Sequence, residues 1–419
     1  MKAVSTRPDP AAEIAAEVAA GRIHYLDNLR AFAMILGVFY HASLSFAAVQ
    51  QDIWVVKDRA GASVALSLLG TLSHLFRMPL FFAIAGFFAN LLLEKRGARA
   101  FIRNRAQRIA LPFAVFLPIL LVCLVLVLQF TSSYLTELPP GLAALTALGA
   151  SQAAPQISTA HLWFLYYLMV LYVLAFALRR VCPARMERWT VQVLFAPRCL
   201  AILPLALVPF LARTAAPVPA PEELGPEPWA VAYYGAFFLF GWHLHRQPDY
   251  VERLQAYLRP LGLAALLMFP IFYALLPTEF PLDDIVSGVL LSPPLSIHQV
   301  GVAVLEAYLS VYLVLSALCL GRRWLSRESP ALRYVADASY WIYLVHLPLV
   351  LLLQTLVAEL AWNVWIKFFA VSAVTLALAA LSYDAAVRYT WVGAMLNGRK
   401  VRPKHRLQAH EAAGALIRR

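Results

Sequence analysis

Charge is what this chain has least of. Only 14% of its 419 residues are Asp, Glu, Lys or Arg, against about a quarter in a soluble globular protein. That shortage excludes a soluble enzyme and a disordered chain. Cysteine is scarce too. Cys123, Cys182, Cys199 and Cys319 form no CxxC and no metal-ligand spacing, which excludes a disulfide scaffold and leaves no expected metal. No Asn-x-Ser/Thr sequon occurs, which points to a bacterial protein. Residues 1–22 lack the apolar stretch of a cleavable signal peptide, so targeting falls to the first apolar span. GxSxG, Walker A, HExxH and the H-x4-D of glycerolipid acyltransferases are all missing.

What fills the sequence is hydrocarbon: 61% hydrophobic residues and a mean hydropathy of +0.68. A membrane span needs about 20 mostly apolar residues. Ten stretches qualify, at 27–48, 66–93, 109–130, 160–178, 199–212, 229–245, 260–277, 299–320, 337–357 and 363–390, the fifth being short. Residues 141–150 are apolar but stop too early to cross. The expected fold is an all-α integral membrane protein of about ten transmembrane helices. Its transmembrane domain covers 23–392, flanked by a tail at 1–22 and a basic tail at 393–419 that lies near anionic lipid head groups.

The net charge of +12 reads as topology and not as nucleic-acid binding, because its carriers sit between spans. Twenty-eight Lys and Arg fall on the side holding both termini and the loops at 94–108, 179–198, 246–259 and 321–336, and three (Lys57, Arg59, Arg213) on the other. The second side is acidic, with Glu222, Glu223, Glu227, Glu279, Asp283 and Asp284. The positive-inside rule puts both termini in the cytoplasm, as an even number of spans requires.

Ionisable groups inside spans are costly and mark function. In the first span Arg30 and His41 are eleven residues apart, close to three whole turns, so they share a face. Their separation is about 16 Å, which sets Arg30 near the cytoplasmic head groups and His41 near mid-membrane. Asp27 is one turn before Arg30, within pairing reach. In the second span Arg77 lies deep, with His74 one turn away and Pro79 breaking the backbone bonding nearby. The deep acid of the eighth span, Glu306, is the expected partner of Arg77. His161 and Trp163 open the fourth span at the outer surface, where Trp163 also suits an aromatic belt. Tyr343 and His346 share a face of the ninth span, and His346 lies at a depth comparable with His41. His243 and His245 are two apart and cannot form a metal pair on one helix face. Arg99, Arg103, Arg105 and Arg108 crowd one cytoplasmic loop, either as ordinary positive-inside charge or as a polyanion site, since guanidinium matches phosphate.

These residues resemble a known family. Tyr25 to Arg30 running on to His41, Phe76-Arg77-Met78 through Gly86, Arg105-x-x-Arg108 followed by Pro112, His161 to Leu165, and Ser339 to Pro348 are together similar to the membrane-bound acyltransferase 3 family. The resemblance implies transfer of an acyl group from cytoplasmic acyl-coenzyme A to a periplasmic glucan or other envelope glycan, at the bacterial inner membrane. Succinyl is the first expectation for the group. It implies His41 as the catalytic residue and Arg30, Arg105 and Arg108 near the donor. Close members carry a second histidine after that of the ninth span; here Leu347 stands there.

The chemistry suits the residues. Coenzyme A phosphates would rest on Arg30, Arg103, Arg105 and Arg108, and the thioester arm would rise toward His41. A neutral imidazole can take the proton of a sugar hydroxyl; an acyl-His intermediate is the other route. Arg77 would stabilise the oxyanion or bind the free carboxylate of a succinyl group. Glu306, Tyr343 and His346 complete the expected catalytic set, His161 and Trp163 face the acceptor, and Asp27 and His74 support it. The alternatives are an O-acetyltransferase of another envelope polysaccharide or small molecule, a secondary transporter, which would show inverted repeats, and a lipid-binding scaffold, which midplane charge disfavours. No repeat is visible in the sequence.

Overall fold

The computed structural model describes residues 23–150, 158–278 and 293–398. The expected tails at 1–22 and from Arg399, and the acidic residues Glu279, Asp283 and Asp284, lie outside these. Among the described residues the chain is all-α, and its only β-type contacts are isolated bridges Ala47–Ser63 and Ser158–Glu223.

The main helices are α1 (His24–Ser43), α2 (Val64–Arg105), α3 (Leu111–Tyr134), α4 (Pro140–Ala150), α5 (Trp163–Val181), α6 (Ala184–Leu194), α7 (Pro228–Leu244), α8 (Leu258–Ala274), α9 (Ile297–Trp324), α10 (Pro330–Ala358) and α11 (Val364–Ser382). Six units are long and apolar enough to cross a membrane: Val64–Tyr134, Ala160–Val181, Tyr250–Ala274, Ile297–Trp324, Pro330–Ala358 and Val364–Val387. The first is 71 residues long. It contains two expected spans, broken at Gly97 (φ 74°) and by a π turn at Ala106–Ala110. The arginines expected in a loop between those spans are therefore on helix, and Gly97 supplies the left-handed backbone that lets the chain bend there. Helix α1 carries Asp27 and Arg30 near its start, and α7 has only 17 residues, so neither meets the same standard of length and apolarity. The segment expected to form the fifth span, 199–212, is not one helix. It runs as tight turns Pro197–Ala201 and Leu203–Leu207 followed by the single turn Val208–Leu211. Pro204 and Pro209 each remove a backbone donor, which breaks the continuous ladder a span needs.

Helices α2 and α7 pack backbone to backbone. A Cβ built on Gly241 would lie 1.7 Å from the Ala83 carbonyl oxygen, and one on Gly86 would lie 2.0 Å from that of Phe238. Small residues allow such approach, and in a bilayer van der Waals packing of this kind drives helix association. Gly241→Ala should therefore cost about 3 kcal/mol or more by overpacking. The check is the monodisperse peak of detergent-solubilised protein on size exclusion; a normal peak and melting curve for the variant would contradict the close packing.

The loop between α1 and α2 is tied to α11 by a buried ion pair. Lys367 Nζ lies 2.5 Å from Asp58 Oδ1, both side chains having no solvent exposure, and also donates to the Ala358 carbonyl. Burial pushes the Asp58 carboxyl above its usual range, against the pull of Lys367. Neither residue stood out in the sequence. Removing one partner strands a buried charge, so Lys367→Met should destabilise the fold by about 3–5 kcal/mol. Adding Asp58→Leu should recover most of the loss. Melting temperatures of the single and double variants test this, and a double variant no better than the single would refute it.

Candidate active site

A cavity of about 920 Å³ lies inside the bundle. Along α1 and the turn that follows it, its wall is Ala33, Met34, Gly37, Tyr40, His41 and Leu44, spaced three and four apart on one helical stripe. Arg30 continues this stripe one turn below the cavity floor. From α2 come Thr71, His74, Arg77, Met78 and Phe81, and from α10 Tyr343, His346 and Leu347. The other end is walled by Ile53 and Trp54, by Ala215–Ala220 and Glu222, and by His298 and Gln299, all on the acidic-loop side.

Three imidazoles meet here. The ring centroid of His346 is 5.2 Å from that of His41 and 5.0 Å from that of His161. His161 opens its span, Ala160–Val181, and its ring is buried among them. The segment before α5 carries it inward: Ala160 adopts φ 44°, and Thr159 pairs through its N–H and hydroxyl with the Glu222 carbonyl at 2.7 and 2.8 Å. Trp163, also buried, packs on Tyr234 at 5.1 Å and lines the same cavity, not an interfacial belt.

Carbonyl partners fix the tautomers of three histidines. His346 Nδ1 donates to the Tyr343 carbonyl at 2.8 Å, His161 Nε2 to the same carbonyl at 2.9 Å, and His74 Nε2 to the Val218 carbonyl at 2.7 Å. The opposite nitrogen of each ring is thereby an acceptor. Tyr343 returns a bond from its hydroxyl to the His161 carbonyl at 2.7 Å. Among the described residues no carbonyl holds the His41 ring, and its Nδ1 has no hydrogen-bond partner. It is flanked instead by aromatic faces, Trp54 at 5.9 Å and Tyr40 at 5.0 Å.

Arg77 is 5% exposed, and its expected pairing with Glu306 does not form. Glu306 Oε1 accepts instead from the Val218 N–H at 2.8 Å. Together with His74 on the Val218 carbonyl, it clamps both backbone polar groups of one residue of the Pro-rich segment 215–220 against the cavity. The carboxylate that the sequence offers to Arg77 is taken up instead by the loop at Val218. The Arg77 guanidinium sits 4.5 Å over the Tyr40 ring, while its Nε and Nη1 have no hydrogen-bond partner. Gly37 makes room for it: a Cβ there would lie 3.1 Å from Arg77 Nη1. A charged group with open donors in the wall of an apolar cavity is a ready receptor for an anion.

The arginines around Arg108 form a separate group. Arg30, Arg96 and Arg105 lie close enough to Arg108 to act on it electrostatically. Arg30 pairs with Asp27 at 3.4 Å, as the spacing suggested. Arg105 stacks on Phe101 and Tyr172 and donates to the Phe88 carbonyl at 3.3 Å. Arg103 is exposed and stands outside this group. None of these arginines lines the cavity. Tyr40, Trp54, Arg96 and Gln354 are site residues that sequence reasoning missed; only Tyr40, on the His41 stripe, left a signal in the spacing.

This architecture is that of a multi-pass membrane protein with a histidine-lined cavity. A family profile described as an acyltransferase domain, of the acyltransferase 3 type, matches residues 23–384. The chain belongs to the acyltransferase 3 family and is an acyltransferase. It is 26% identical over 346 residues to "Glucans biosynthesis protein C" of Salmonella gallinarum (strain 287/91 / NCTC 13346), covering 80% of this chain and 84% of that protein. It is 25% identical over 394 residues to the protein of the same name from Salmonella schwarzengrund (strain CVM19633), covering 91% and 96%. No solved structure matches it.

Proposed function

We propose that the chain crosses the bacterial inner membrane about ten times with both termini in the cytoplasm. In this reading it transfers a succinyl group from cytoplasmic succinyl-coenzyme A to a hydroxyl of a periplasmic glucan. The observation that carries the reading is the cavity itself: it opens among the acidic-side loops and holds His41, with a free ring nitrogen, beside Arg77, with open donors. Its lower end at Ala33 and Met34 lies one turn above Arg30, near the arginine group. Coenzyme A phosphates settle on Arg30, Arg105 and Arg108, with exposed Arg103 at the periphery. The half-buried Arg30–Asp27 bridge, at 3.4 Å, is weak enough to exchange for phosphate. The thioester arm then spans the roughly 16 Å to His41.

In the transfer step, His41 accepts the proton of the sugar hydroxyl, and the hydroxyl oxygen attacks the thioester carbonyl. The tetrahedral intermediate collapses, the carbon–sulfur bond breaks, and the coenzyme A thiolate takes the proton back from His41. Arg77 binds the free carboxylate of the succinyl group. Tyr343 fixes His161 and His346, which frame the acceptor together with Trp163. Glu306 and His74 hold the segment 215–220 in place. The relatives' name, glucans biosynthesis protein C, supports a glucan as the acceptor.

Proteoliposomes test this directly, with glucan inside and labelled succinyl-coenzyme A outside, the arginine-bearing face outward. Label should appear as ester on the enclosed glucan. Label that enters free, with no ester formed, would favour a transporter and defeat the proposal.

A further inference from the structure

We propose that Gln354 is a positioning residue for His41, acting through Trp54. The inference rests on His41 being the transfer base. Helix α1 ends at Ser43, inside the bundle, where carbonyls of the last turn lack their usual partners. The His41 carbonyl takes one bond from the Leu44 N–H. Gln354 of α10, itself fully buried, supplies the rest: its Nε2 donates to the carbonyls of His41 at 2.9 Å and Ala42 at 3.1 Å. Its Oε1 accepts the indole N–H of Trp54 at 2.9 Å. The Trp54 ring in turn stacks on the His41 imidazole, with 29° between the planes.

One amide thus grips both the backbone that carries the base and the ring that covers it. The amide has a single useful orientation, because its oxygen must meet a donor and its nitrogen two acceptors. This matters because His41 lacks the carbonyl bond that orients His74, His161 and His346. Stacking of His41 on Trp54, with the tilted His346 ring on its other flank, takes that role, and it works only if Trp54 is held. The Asp58–Lys367 pair secures the same loop four residues beyond Trp54, so the indole is anchored on both sides. A base held loosely loses rate, since a displacement of about 1 Å costs about a hundredfold.

The test uses full-length purified protein with Gln354→Met and Trp54→Phe, singly and combined. Trp54→Phe keeps one six-membered aromatic face and removes the N–H with the rest of the pyrrole ring. Each change should lower kcat with succinyl-coenzyme A and extracted periplasmic glucan about tenfold and leave KM for the donor within about threefold. The double variant should be no worse than the poorer single, as for two ends of one bond. A second readout does not depend on activity. Modification of His41 by diethyl pyrocarbonate, mapped by mass spectrometry, should quicken about fivefold in either variant, the equivalent of one net hydrogen bond, with His161 unchanged. Wild-type protein inactive with this donor would defeat the transfer reading, and the labelling would still decide the role of Gln354. If Gln354→Met does not fold, Trp54→Phe carries the test alone. Unchanged His41 labelling in Trp54→Phe overturns the proposal whatever the activity.

Discussion

His41→Gln should lower glucan acylation roughly a thousandfold while the protein remains folded. The expected size follows from the loss of a general base, which contributes about 10²–10⁴ to a proton-coupled step. Glutamine is close to histidine in size and remains polar, so it fills the space against Trp54 and His346 without creating a void. It cannot take a proton near neutral pH. The measurement is coenzyme A release from succinyl-coenzyme A in the presence of glucan, with folding followed by size exclusion. Activity within about tenfold of wild type would remove His41 from the mechanism. Acid-quenched wild-type reactions with labelled donor divide the two chemical routes. Direct attack leaves no label on the protein, whereas an acyl-His intermediate leaves it on His41.

Arg77→Met should reduce kcat/KM for succinyl-coenzyme A about a hundredfold and change that for acetyl-coenzyme A by less than about threefold. The physical argument is one of cost. A guanidinium buried at this depth is expensive, and among the described residues no carboxylate lies within ion-pairing distance of it. The Tyr40 face attends it through a cation–π contact. Its open Nε and Nη1 donors lie on different edges of the guanidinium fork, and either can meet the carboxylate that a succinyl group supplies and an acetyl group lacks. Arg77→Lys keeps the charge but loses the fork, so it should recover only part of the selectivity. Equal losses with both donors would move Arg77 to the oxyanion, and no loss with succinyl-coenzyme A would exclude it from donor binding.

The parts of this site that could be read from the sequence were the ones that violate the solvent. His41, Arg77 and His346 are anomalies in apolar runs, and helical spacing placed His41 above Arg30. Relative rotation of helices was not legible. Arg77 and Glu306 sit at matching counts along their helices, yet the bond that Glu306 takes from the Val218 N–H is a tertiary fact with no trace in either span. His161 opens its span as the count placed it; that its ring is buried beside His346 is set by the turn at Ala160, which leaves no trace in the count. Gln354 raised no alarm because it is neutral and sits in an otherwise ordinary run. Lys367 lies near a helix start, where a lysine would be expected to snorkel outward, and only the loop bearing Asp58 reveals why it does not. The interrupted segment 199–212 had its signal in Pro204 and Pro209, outweighed in the reading by hydropathy.

The most direct test of the central claim, acyl transfer through this cavity to an envelope glucan, is mass spectrometry of periplasmic glucans. The samples are cells lacking the gene, complemented with either wild type or His41→Gln. Wild type should restore an ester adduct of about 100 Da, the mass a succinyl group adds to a hydroxyl, and the variant should not. An adduct of about 42 Da would change the donor to acetyl and leave the route intact. Glucans identical in all three strains would contradict the account.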